Sequence, residues 1–149
     1  MTTRLTETYI ENRSMVQPNH ANMLDTAHGG NVMKWMDEVG AMSAMRFAGE
    51  TCVTARMSQV DFERPIQVGD TALIEAYVYA AGTSSVRVRV KTYRENPTTG
   101  ETEPTADSYI VYVAVDEDRN TVEVPDLRVE TDRAERLREE ALAGENGGD

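Results

Sequence analysis

Cysteine occurs once in 149 residues, at Cys52, so no internal disulfide can brace the chain. No Cys/His cluster has the spacing of a structural zinc site, and no metal is expected. Lysine occurs only at Lys34 and Lys91; the other thirteen of the fifteen basic residues are arginines. Apolar runs are all far shorter than a membrane span. The first twenty residues lack the apolar block of a secretory leader, which points to a cytoplasmic protein. Positive charge is in deficit overall, with twenty-six acidic residues against fifteen basic ones and a net charge of -11. So acidic a surface repels nucleic acid and anionic membranes, so neither is expected as a partner.

What remains is enough for one core. Forty per cent of the residues are hydrophobic, too many for a disordered chain, and there is neither a dividing linker nor an internal repeat. Residues 6–16 are mixed in pattern and fit an entry or edge strand. Residues 17–29 read as a loop, with Pro18, Asn19, Asn22 and Asp25 as turn formers. A helix is expected over 30–48, stopped by Gly49. The period then changes to two. A strand over 52–62 switches parity, which predicts a bulge near Ser58-Gln59. Ile74, Ala76 and Val78 alternate with Glu75, Tyr77 and Tyr79; Val86, Val88 and Val90 alternate with Arg87, Arg89 and Lys91; Ile110, Tyr112 and Ala114 form a third such run. Turns at 81–83 and 96–100 are short, so these strands are antiparallel neighbours. A charged surface helix over 130–143 and a tail close the chain.

The fold class is therefore α+β, with about five strands and one long helix whose composition calls for burial. One helix cannot cover both faces of such a sheet. A strongly curved sheet wrapped around the helix resolves this, with the remaining edges pairing in a dimer.

On that helix Met33, Asp37, Gly40 and Ala44 share a face, while Asn31, Lys34, Glu38 and Met42 or Met45 form a mixed polar stripe. Asp37 thus sits away from the wet side, where a carboxylate is costly without a partner, and this marks it for chemistry. A helix aspartate capped by a neighbouring loop is the plainer alternative. His28-Gly29-Gly30 precede the helix, and unpaired amides at a helix start can stabilise an oxyanion by about 3 kcal/mol per donor. A tight turn would account for the same residues. Asp37 lies roughly 10 Å further along the axis, too far for one reacting centre, so a complete site combines donors of one protomer with the acid of another.

These residues resemble a known family. HANMLDTAHGGNVMKWMDEVGAMSAMRFA is similar to the loop-helix signature of the hotdog-fold acyl-CoA thioesterases. The likeness continues in VTARMSQVDFERPIQVGD, AGTSSVRVRV and YIVYVAVDEDRNTVEVP, in the same order. It covers about residues 6–125 as one hotdog domain, leaving 126–149 as an acidic C-terminal helix and flexible tail. The resemblance implies hydrolysis of acyl-CoA to fatty acid and CoA without a cofactor or metal. It implies Asp37 as general base or nucleophile, Gly29 and Gly30 amides holding the carbonyl oxygen, and Thr26 facing a partner protomer's acid. Asn22 matches a frequent loop asparagine, and Gly82, Thr83, Ser84 and Ser85 match a turn lying against the CoA arm. It also implies a homodimer, often assembled as a trimer of dimers.

Two departures stand out. Asp25 replaces a usual glycine. Thr83-Ser84 replace residues that are often Arg or Lys, so Arg64, Arg87 or Arg89 would have to supply a contact to phosphate, although Arg87 and Arg89 also fit a solvated strand face. His28 either donates to the thioester oxygen or structures the loop. An acyl tunnel would draw on Met36, Met42, Met45 and Phe62; Cys52 and Tyr109 read as core. Few lysines with high acidity resemble the proteins of salt-loving archaea. The rival reading is a non-catalytic acyl-CoA-binding or sensing module on the same fold. A hydratase of that fold would need an Asp/His pair, and neither His20 nor His28 lies in such a motif.

Overall fold

The structure is a computed structural model, and it describes residues 2–147. Its centre is helix α1 (Gly29–Ala48). At its start the His28 ring nitrogen Nδ1 accepts the Gly30 N–H at 3.1 Å, and the His28 carbonyl accepts from Asn31 and Val32. At its end Gly49 adopts φ +70° and returns its N–H to the Met45 carbonyl, the left-handed stop that glycine makes without steric cost.

The sheet holds β2 (Ile10–Met15), β3 (Thr51–Met57), β5 (Thr71–Ala81), β6 (Ser85–Glu95) and β7 (Thr102–Val115), in the order β2-β5-β6-β7-β3. Every pairing along that path is antiparallel, and the two-residue β4 (Asp61–Phe62) lies beside β7. Val32, Met36, Val39, Ala44 and Phe47 of α1 pack on the inward residues of β5, β6 and β7, among them Ile74, Val78, Val88, Val90, Ile110 and Tyr112. Met36 is fully enclosed, and a side chain of that size contributes about 1.5–3 kcal/mol by leaving water. This is the expected α+β design, one long helix held in a curved antiparallel sheet.

Three details differ from the expectations. The parity change in the third strand arises from two irregularities. β3 carries its register shift between Thr54 and Arg56, with Ala55 as the extra residue, and the strand then breaks before β4. The gap is closed by Ser58, whose N–H reaches the Tyr109 carbonyl and whose Oγ accepts the Tyr109 N–H. Second, β5 is buried on both faces. Its outer Tyr77 and Tyr79 lie under helix α2 (Asp132–Gly147) and beside Leu5, in a second cluster with Ala134 and Ala141. A parallel pair, β1 (Thr2–Arg4) with β8 (Asp126–Arg128), ties the two ends of the chain together on that side. Third, α1 is not enclosed all round within one chain: Met33, Met42 and Met45 are 37–40% exposed. Among the described residues no helix is long and apolar enough to cross a membrane.

Candidate active site

Asp37 is half-buried at the border between the packed face of α1 and its open face. Its carboxylate oxygen Oδ1 accepts a hydrogen bond from Thr54 Oγ1 at 2.7 Å and lies 3.0 Å from the Tyr112 hydroxyl. The same hydroxyl is 2.9 Å from the Asp37 main-chain carbonyl. Thr54 and Tyr112 are paired across β3 and β7, so the two donors arrive side by side from adjacent strands. The register is regular from Thr51 to Thr54, which turns Thr54 inward with Tyr112; the bulge follows it, so that Arg56, opposite Val111, turns outward.

Tyr112 is fully buried. Burial first, then the charge and hydrogen bond of Asp37, push its phenol far above the ordinary tyrosine range, so it remains a donor at any working pH. Cys52 lies nearby in the core; burial, with a smaller contribution from Glu50, pushes its thiol up to about 11 and leaves it a poor nucleophile.

The loop before α1 is bonded throughout. Asn22 Oδ1 accepts from the Leu24 N–H, the Thr26 N–H and the Thr26 hydroxyl at 2.9–3.3 Å, while the Asn22 N–H reaches the Thr26 carbonyl. Asp25, where a glycine was expected, takes φ +59° and so keeps the backbone shape a glycine would give. The Gly30 N–H is occupied by His28 Nδ1, whereas the Gly29 N–H makes no hydrogen bond among the described residues. Accepting at Nδ1 places the proton of neutral His28 on Nε2. Gly29 lies under the Phe62 ring, at 3.6 Å from where a Cβ would stand. His20 caps the Gln17 N–H through Nδ1 and meets Trp35 edge-on, a structural part.

The remaining expected residues lie elsewhere. Arg64 donates to the Pro104 carbonyl and pairs with Glu63 and Glu103. Arg87 pairs with Glu145 of α2, and Arg89 with Asp107 while stacking over Tyr109. The turn of Gly82, Thr83, Ser84 and Ser85 closes through the Gly82 N–H to the Ser85 carbonyl, and the Thr83 carbonyl accepts from Val124. Of the expected tunnel residues Met36 belongs to the closed core, while Met42, Met45 and Phe62 are exposed. Among the described residues no hydrogen bond joins Thr26 to Asp37. Among the described residues no group of three or more His, Cys, Asp or Glu is placed to hold a metal ion.

Sequence reasoning missed Thr54 and Tyr112. A signal for Tyr112 was present, since a tyrosine on the inward parity of a strand needs a buried partner for its hydroxyl.

Residues 24–101 match the profile of the Thioesterase superfamily. An uncharacterized acyl-CoA thioester hydrolase, YkhA of Bacillus subtilis (strain 168), is 36% identical over 140 residues, which is 94% of this chain and 81% of that protein. Against the longer cytosolic acyl coenzyme A thioester hydrolase of Homo sapiens the chain is 32% identical over 105 residues and spans only 28% of that protein. A solved hexameric acyl-CoA thioesterase in its apo form superposes with a TM-score of 0.87 at 33% identity, covering 98% of this chain and 94% of that one. An acyl-CoA hydrolase from Staphylococcus aureus, solved with butyryl coenzyme A, coenzyme A and coenzyme A disulfide, superposes with a TM-score of 0.87 at 31% identity. That match covers 96% of this chain and 87% of the other.

Proposed function

The chain belongs to the thioesterase superfamily and is a thioesterase, and we propose that it hydrolyses acyl-CoA to a fatty acid and CoA with Asp37 as the reacting acid. The observation that carries this reading is the pair of hydroxyls on one oxygen of Asp37, which leaves the other oxygen open. The thioester carbonyl oxygen sits on the Gly29 amide at the positive end of α1, and His28, with its Nδ1 taken by the Gly30 N–H, keeps Nε2–H as the donor it has to offer. Asp37 of a second copy takes a proton from water as the water attacks the carbonyl carbon. The tetrahedral adduct then collapses, the carbon–sulfur bond breaks, and the CoA thiolate leaves with the proton that Asp37 had taken. Direct attack by Asp37, giving an anhydride that water opens, uses the same groups.

The relatives support the substrate class, and the hexamer among them supports a homodimer that assembles further. Asn22 and Thr26 fix the loop that presents the helix start. The Gly82–Ser85 turn, with Arg64 or Arg87, borders the route of the CoA arm. The hotdog domain is assigned to 6–125, with 126–149 as an appended acidic segment.

Asp37→Asn tests the assignment. It keeps the side-chain shape and both donors but cannot take a proton, so kcat for thiol release from acyl-CoA should fall about 100- to 10,000-fold with CoA still bound. Unchanged turnover would return Asp37 to a structural role, and no thiol release by the natural protein itself would favour the non-catalytic acyl-CoA-binding alternative.

A further inference from the structure

We infer that Tyr112 is a positioning residue for Asp37, that together with Thr54 it commits Oδ1 and so makes Oδ2 the reacting oxygen, and that position 40 is glycine to admit its hydroxyl. The inference rests on the reading of Asp37 as the reacting acid.

Two donors converge on a single oxygen. Thr54 Oγ1 and the Tyr112 hydroxyl both lie within hydrogen-bond reach of Oδ1, and among the described residues no donor reaches Oδ2. Hydrogen bonds to an ionised carboxylate are stronger than those to a neutral group. The carboxylate is therefore held in one rotation about its axis, with one oxygen committed and one presented. Tyr112 also has a fixed place for its single proton. Its oxygen is 2.9 Å from the Asp37 carbonyl and 3.0 Å from Oδ1, and the carbonyl is already available to the helix ladder, whereas the carboxylate carries the charge.

The hydroxyl reaches this position only because α1 is notched. A Cβ built on Gly40 would collide with the Tyr112 hydroxyl oxygen, and it would stand 3.2 Å from the ring carbon that bears the hydroxyl and 3.3 Å from Val90 Cγ2. Gly40 is buried in mid-helix and costs about 1 kcal/mol relative to alanine. No left-handed backbone demands a glycine there. Close approach of the Tyr112 oxygen is the remaining reason. The raised phenol ensures that the group donates and never competes as an anion beside Asp37.

The test is a cycle on the full chain. Tyr112→Phe is made in the natural protein and in Asp37→Asn, and thiol release from acyl-CoA is followed across substrate concentration. In the natural background kcat should fall about tenfold, the loss of one charge-assisted hydrogen bond, while KM stays within about twofold. In the Asp37→Asn background the same change should cost nothing further. Gly40→Ala should lower the melting temperature with Tyr112 present and lower it less in Tyr112→Phe, where the colliding oxygen is gone. An equal loss in both backgrounds, a change confined to KM, or no loss at all would overturn the inference. Full turnover of Asp37→Asn alone would overturn the assignment of Asp37 and this inference with it.

Discussion

Among individual residues, Asp25 shows how a local departure is absorbed. Its φ of +59° lies where short polar side chains are tolerated and β-branched ones are not, and its carbonyl accepts the Val68 N–H. Asp25→Val should therefore destabilise by about 1–2 kcal/mol, a fall of several degrees in the melting temperature, whereas Asp25→Gly should lower it little or not at all. A calorimetric scan of the two variants checks the contrast. Asp37 was legible in the sequence because helical spacing placed an acid among small and apolar residues. Its partners were not, because they lie 17 and 75 residues away and reach it only when two strands are paired in one register. The glycine pair was legible as a helix start. Which of its amides is open depended on the rotamer of His28, which spacing does not reveal.

Among the elements, α2 is the one whose consequences the pattern understated. Its charged sequence marked a surface helix, yet its apolar stripe of Ala134, Leu137 and Ala141 covers Tyr77 and Tyr79 on the outer face of β5. The Tyr77 hydroxyl donates to the Leu137 carbonyl at 2.7 Å, Tyr79 bonds Glu145, and Lys91 pairs with Glu140. The strict alternation read from β5 did not anticipate this, since aromatic outward positions fit a solvated face as well as a covered one. A chain ended after Thr131 should bind an apolar dye such as anilinonaphthalenesulfonate and unfold at lower temperature. No dye binding and an unchanged midpoint would show that the helix adds nothing to the sheet. The order of strands, the long helix and its glycine stop were legible because each has a periodic or punctuating signature. The position of the bulge was not, because one extra residue shifts parity wherever it stands between two runs.

For the whole molecule the governing quantity is the charge of -11. The ion pairs among the described residues are mostly exposed, as in Arg4 with Glu7 and Arg64 with Glu103, and pairs of this kind each contribute little. Self-repulsion of the excess carboxylates acts against the compact state, and dissolved salt screens it over about 3 Å at 1 M. The melting temperature should therefore climb as KCl is raised from 0.1 M to 2 M; a flat response would show that the acidic excess is already balanced locally. One consequence of Ala55 reaches beyond energetics. An extra residue that flips a strand's parity gives β3 something like a reading frame, in which length carries meaning as well as identity. Losing a single codon between Thr51 and Thr54 would present a neighbour's side chain to the acid, whereas the same loss in the Asn96–Gly100 turn would only shorten a loop.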